Sequence, residues 1–295
     1  MVRRVIYILI LMLSYITLTA KEKYALTVFI SEYPKESGWN SLNSSNDKTI
    51  IISALESLGY KHGNIICLED SHATYEAIIK SFSQLGSLLN KGDEVYIHFS
   101  CHGQQITDLN RDETSLNPKD KYDEALVPYD AYIAYGWNGY KGDKHLIDDE
   151  INDWLNQIST RVGKEGIVIY VADACHSGDS FRTVSDINYV GHRGTFDRFE
   201  LPLPTIKESR ERCDNNWVSI SACKEFETNF ECVARGERYG RLSYSISRCM
   251  SKGITVKDLI SAIRDEYTRL KLPKGKAQTL DVACPNKMEE RVLFR

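Results

Sequence analysis

The chain carries no internal repeat, no low-complexity tract and no block of basic residues. The missing repeats exclude a solenoid. The missing low-complexity tract, with a 10% aromatic share, excludes a largely disordered chain. Lysines and arginines are scattered and the formal net charge is −4, so there is no electrostatic footprint for nucleic acid. The mild acidity serves solubility.

An apolar run long enough to span a membrane comfortably is also missing. The longest candidate covers residues 5–18. It follows Arg3 and Arg4 and precedes Thr19-Ala20-Lys21. A basic start, a short apolar stretch and a small residue before a polar one read as a signal peptide over 1–20. Leu18 falls where a small residue is preferred, so an uncleaved anchor is the alternative. No cysteine lies there to carry a lipid. Export is the expectation, to the periplasm, the cell surface or the medium.

What is present fits one substantial domain over 21–295. The chain has 295 residues, 42% hydrophobic and 26% charged. All eight cysteines lie beyond residue 20. Export would put them where disulfides persist. Cys213, Cys223, Cys232, Cys249 and Cys284 cluster in the last third, and spacing leaves their pairing open.

Periodicity predicts strands at 24–30, 64–68, 94–100, 167–172, 217–222 and 291–294. It predicts helices at 47–58, 74–89, 148–158, 242–250 and 256–270. A polar loop is expected over 103–144, and 178–216 is the least regular stretch. Strands alternating with helices give an α/β fold, a mainly parallel sheet covered on both faces. Such sheets place their sites at the carboxyl ends of strands. Two strand ends carry chemistry: Ser100-Cys101-His102-Gly103 and Asp173-Ala174-Cys175-His176-Ser177-Gly178.

A thiol attacks as thiolate, and an imidazole on another segment can generate it and then protonate a leaving amine. Cys175 as nucleophile and His102 as its acid–base partner fit that demand. The N–H groups of Gly103 and Cys175 are the candidate oxyanion donors. The ordinary alternatives are an inert buried cysteine and a packed histidine. A third is a tetrahedral metal site from Cys101-His102 and Cys175-His176, which alternation along an extended chain makes awkward.

Tyr96-Ile-His-Phe-Ser-Cys-His-Gly103 and Val171-Ala-Asp-Ala-Cys-His-Ser-Gly178 resemble the two catalytic boxes of metacaspases and bacterial caspase-like peptidases. Asn46-Asp47, the segment 123–128, the segment 146–150, Ser219-Ile-Ser-Ala-Cys223 and Gly240-Arg-Leu-Ser-Tyr244 follow in the family's order. The Asp-x-Cys-His-Ser-Gly form differs from the Gln-Ala-Cys box of true caspases and favours the metacaspase-like branch. The resemblance implies a caspase-like three-layer α/β/α sandwich with about six strands. It divides the chain into a large-subunit-like part to about 180, a linker over about 179–216 and a small-subunit-like part over 217–295.

It also implies a peptidase that cuts after Arg or Lys, with Asp173, Asp47 and Ser100 forming the first specificity pocket. The ordinary alternatives are a structural carboxylate at 173 and a helix cap at 47. No cofactor is required for the chemistry. Calcium, as an activator, would be held at Asp123, Asp148 and Asp149, although Arg182 falls near the place of the family's fourth acid. Asp148 and Asp149 also suit the first turn of a helix. The expected partners are protein or peptide substrates. The chain's own linker is another, through Arg182, Arg193, Arg198, Lys207, Arg210 or Arg212. The expected state is a monomer. The rival readings are a catalytically silent binding protein of this fold and a peptidase of the gingipain or clostripain kind.

Overall fold

The structure is a computed structural model and describes residues 21–110, 121–175, 191–195, 197–202, 217–225, 227–272, 274 and 276–295. The segment read as a signal peptide lies outside them, as do Cys213, His176, Arg182, Lys207, Arg210 and Arg212.

The chain runs through β1 (Lys23–Phe29), α1 (Ser44–Ser57), β2 (Ile65–Glu69), α2 (Tyr75–Leu88) and β3 (Glu94–Ser100). It continues through β4 (Gly103–Thr107), β5 (Tyr122–Leu126), β6 (Leu146–Ile147), α3 (Asp148–Val162) and β7 (Ile167–Asp173). The last part holds β8 (Val218–Ser221), β9 (Glu231–Ala234), β10 (Glu237–Gly240), α4 (Arg241–Cys249), α5 (Val256–Arg269) and β11 (Asp281–Ala283).

A six-stranded sheet in the order β11-β8-β7-β3-β1-β2 forms the centre. Five strands are parallel, and β11 joins β8 antiparallel at the edge. Every residue of β3 and β7 is buried, which explains their near-continuous apolar sequences. Ile78, Phe82 and Leu85 of α2 and Ile151, Leu155 and Ile158 of α3 cover one face. Ile51 and Leu55 of α1, Leu242 and Ile246 of α4, and Leu259 and Ile263 of α5 cover the other. Their spacing of three or four puts each set on one helix stripe. The result is the three-layer α/β/α sandwich.

Most expected elements lie within a few residues of their predicted bounds, and three differences matter. The 103–144 loop contains β4 and β5, which with β6 form a separate antiparallel sheet. Residues 231–240 form a hairpin whose two-residue turn, Arg235-Gly236, has φ of 54° and 85°. The 291–294 segment is not a strand, making only an isolated bridge from Val292 to Thr255, and the edge position goes to β11 instead. Cys223, Cys232, Cys249 and Cys284 are thiols with no disulfide among them. No helix among the described residues is long and apolar enough to cross a membrane.

Candidate active site

The parallel register pairs Ser100 with Asp173, so β3 and β7 end side by side. The chain leaves β3 through Cys101 and His102 and enters β4 at Gly103. His102, Cys175, Gly103, Ser100 and Asp173 thereby gather at one edge of the sheet. Asp47 joins them from α1. It lies in the first turn, on the buried stripe with Ile51 and Leu55, four residues apart along the helix.

His102 is 2% exposed. Trp39 stacks on its ring at 4.9 Å, and Tyr33 packs at 5.2 Å. Its Nε2 lies 2.8 Å from the Asn40 carbonyl. A carbonyl only accepts, so Nε2 carries the proton and Nδ1 carries the lone pair. Burial pushes the imidazole down to about 3, with the Asn40 contact opposing, so it is neutral near pH 7. Nδ1 has no hydrogen-bond partner. The Cys175 sulfur is directed to the Glu227 carbonyl, at 3.6 Å. Cys223 reaches the same carbonyl at 3.2 Å, and its contact with Cys175 raises the Cys223 thiol. Thiol and imidazole are therefore gathered but not hydrogen-bonded to each other. Burial pushes the neighbouring Cys101 thiol up to about 12, which keeps it protonated and inert.

A segment of the chain's own linker occupies the site. The Arg193 carbonyl accepts from Cys175 N at 2.7 Å and from Gly103 N at 3.3 Å. Two amides thus converge on one carbonyl oxygen, the arrangement an oxyanion requires. Upstream, Arg193 N donates to Asn229 O at 3.0 Å and Glu231 N donates to Gly191 O at 2.8 Å. His192 bridges Phe230 antiparallel. Residues 191–193 lie against 229–231 as an added strand, a peptide-recognition geometry. Downstream, Gly194 bridges Gly103, and Phe199 exchanges hydrogen bonds with Gln105 and Thr107 of β4.

The Arg193 side chain is fully buried. Its Nη1 donates to Ser100 Oγ at 2.5 Å. Its Nη2 donates to Asp47 Oδ2 at 2.7 Å and to Glu231 Oε1 at 3.2 Å. Asp47 also accepts from Ser100 Oγ and from Gly240 N. Asp173 faces the pocket differently. Its oxygens take Asn229 Nδ2 and the N–H and hydroxyl of Ser243, each at 2.7 Å. Ser243 lies in the first turn of α4, where a carboxylate meets unpaired N–H groups. Asp173 contributes charge to Arg193 rather than a direct hydrogen bond. A Cβ on Gly240 would overlap Asp173 Oδ2 and lie 2.7 Å from Arg193 Cζ, so only glycine fits where α4 meets the pocket.

Sequence reading missed Glu231, Asn229 and the Asn40 carbonyl. The Arg235-Gly236 pair between short β-prone runs was the available signal for the hairpin that carries Glu231. A backbone carbonyl leaves no sequence signal.

The three proposed calcium acids divide between two cavities. Asp148 lines one of about 320 Å³ with Glu124 and Asp281. Asp123 and Asp149 line another of about 410 Å³ with Asp143 and Glu150. No three Asp, Glu, His or Cys side chains converge on one point among the described residues. Calcium takes six or more oxygens, so these acids do not by themselves form its shell.

A central, mainly parallel sheet with a cysteine and a histidine at neighbouring strand ends defines a caspase-fold protein. The model of the metacaspase peptidase C14 domain matches residues 24–184, and the chain belongs to that family. It is similar to metacaspase-1A of Neurospora crassa, 27% identical over 50% of this chain and 29% of the relative. It is likewise similar to metacaspase-1B of Aspergillus fumigatus, 30% identical over 49% and 32%. The match spans about a third of the length of these curated relatives. A crystal structure of a Geobacter sulfurreducens protein superposes with a TM-score of 0.60 over 92% of this chain and 98% of that one. At 20% identity that likeness shows the fold alone.

Proposed function

We propose that this chain is a cysteine endopeptidase that cleaves after a basic residue, with Cys175 as nucleophile and His102 as acid and base. The observation that carries the proposal is Arg193, whose side chain fills the acidic pocket while its carbonyl meets two backbone amides. The linker residues 191–194 are then a substrate in cis.

The thiol passes its proton to His102 as the sulfur attacks the carbonyl carbon after the basic residue. Gly103 N–H and Cys175 N–H hold the resulting oxyanion. Collapse breaks the C–N bond, and the imidazolium protonates the departing amine. Water, deprotonated by His102, then hydrolyses the acyl-thioester. Trp39 and the Asn40 carbonyl keep the imidazole in one orientation and one tautomer. Calcium enters the proposal only as an activator whose ligands would include Asp123 and Asp149 in one cavity or Asp148 in the other, completed by further oxygens, and export enters it through residues 1–20.

The test is hydrolysis of an internally quenched peptide with Arg before the scissile bond, in calcium and in chelator. Cys175→Ala and His102→Ala are each expected to lower the rate by at least about 10³-fold. Unchanged turnover in Cys175→Ala would sink the assignment. Absence of labelling by an arginyl chloromethyl ketone would favour a silent binding protein. The intact mass of exported chain, expected to begin at Lys21, tests the signal peptide.

A further inference from the structure

We infer that Glu231 makes the first pocket an arginine pocket rather than a general basic one, and that the site is built for the sequence Gly-x-Arg-Gly. The inference rests on the peptidase reading and specifies its substrate.

The guanidinium of Arg193 uses two nitrogens on different partners. Nη1 takes Ser100, and Nη2 is shared by Asp47 and Glu231. Glu231 is also held by groups other than the arginine. Its Oε1 accepts Asn43 N at 3.0 Å and its Oε2 accepts Asn43 Nδ2 at 2.6 Å, at the entrance to α1. It is 2% exposed. A lysine ammonium is a single point of charge on a flexible stem and cannot occupy both Nη positions at once. Lysine at this position would forgo one of the three bonds: Ser100 would keep only its bond to Asp47, or Glu231 only its bonds to Asn43, and in a buried setting each charge-assisted bond not made lowers the preference for the ligand.

The two glycines follow from space. A Cβ on Gly194 would lie 2.5 Å from the Cys175 carbonyl oxygen, 2.9 Å from Cys175 Cβ and 2.9 Å from the Gly103 carbonyl oxygen. Those atoms belong to the two residues whose amides are the oxyanion donors, and they cannot retreat without moving those amides. A Cβ on Gly191 would lie 2.7 Å from Glu231 Oε2. Glu231 thus reads the arginine with one oxygen and limits the residue two positions before it with the other. Of the linker's basic residues, Arg193 alone precedes a glycine. Gly139-Tyr140-Lys141-Gly142 has the same pattern with lysine, and its sequence provides the lysine peptide for comparison.

The experiment compares internally quenched peptides built on Gly-His-Arg-Gly with versions carrying Lys for Arg, Ala for the last Gly, or Ala for the first. Arg is expected to exceed Lys in kcat/KM by at least about tenfold. Alanine after the scissile bond should cost at least about tenfold. Glu231→Gln and Glu231→Ala, each checked for an unchanged melting transition, should bring the Arg/Lys ratio to within about twofold. Equal turnover of Arg and Lys, or of Gly and Ala, overturns the inference. So does an unchanged ratio in both folded Glu231 variants. If no peptide is cut, the peptidase reading fails. Anisotropy of the same peptides on the Cys175→Ala/Arg193→Ala chain then decides the inference separately. Arg binding at least about tenfold tighter than Lys keeps it, and equal binding overturns it.

Discussion

Asp47 is a carboxylate on the apolar stripe of a helix, completely buried. Burial pushes its carboxyl up to about 7, even with the Arg193 guanidinium pulling it down. The Arg193 guanidinium favours the ionised carboxylate, so arginine binding and ionisation of Asp47 are coupled. Arginine binding then expels a proton, and affinity grows as pH rises and ionised Asp47 becomes available. KM for an arginine peptide is expected to fall as pH rises above about 7 and to level off below it. Asp47→Asn should raise KM and flatten that dependence. A wild-type KM that does not change with pH in this range would contradict the account. The proximity of Asp47 to Ser100 and Asp173 was legible only through family resemblance. Periodicity alone placed it at a helix start, where a carboxylate is ordinary.

Among elements, the central strands were the most legible. β3 was read with its observed bounds, and β7 within one residue, because buried parallel strands write continuous apolar runs. The helices were legible for the same reason at a different period. α5 begins with a cap that can be tested. Thr255 Oγ1 accepts Asp258 N at 3.1 Å and donates to Asp258 Oδ2 at 2.8 Å. Thr255→Ala is expected to cost about 1 kcal/mol and to lower Tm by roughly 2 °C in a melt followed by circular dichroism. An unchanged Tm would show that tertiary packing alone fixes this end. The short strands β4 to β6 and β9 to β11 were less legible. Strands of two to five residues carry too few alternations for a period to register.

Across the whole molecule, the linker crosses the site between two halves that share one sheet. β7 precedes Arg193 and β8 follows it, yet the two pair in parallel from Ile169↔Val218 to Ala172↔Ser221. Residues 199–201 also remain tied to β4 by Phe199 and by Leu201 N, which donates to Thr107 Oγ1 at 3.0 Å. Cleavage at Arg193–Gly194 is therefore expected to give two bands in a denaturing gel and one peak in gel filtration at the intact chain's position. Glu231 keeps its place in the pocket, though carried by the downstream piece. Fragments that separate without denaturant would contradict that shared sheet. By itself the sequence determined the α/β class, the two strand ends and the candidate dyad, because periodicity and the residues just past a strand are local facts. Only the tertiary structure decided that Arg193 lies in the pocket, that Glu231 faces it and that Asp173 meets the start of α4. Those contacts join residues 38 to 146 positions apart, and no local pattern records which distant groups a folded sheet brings to one edge.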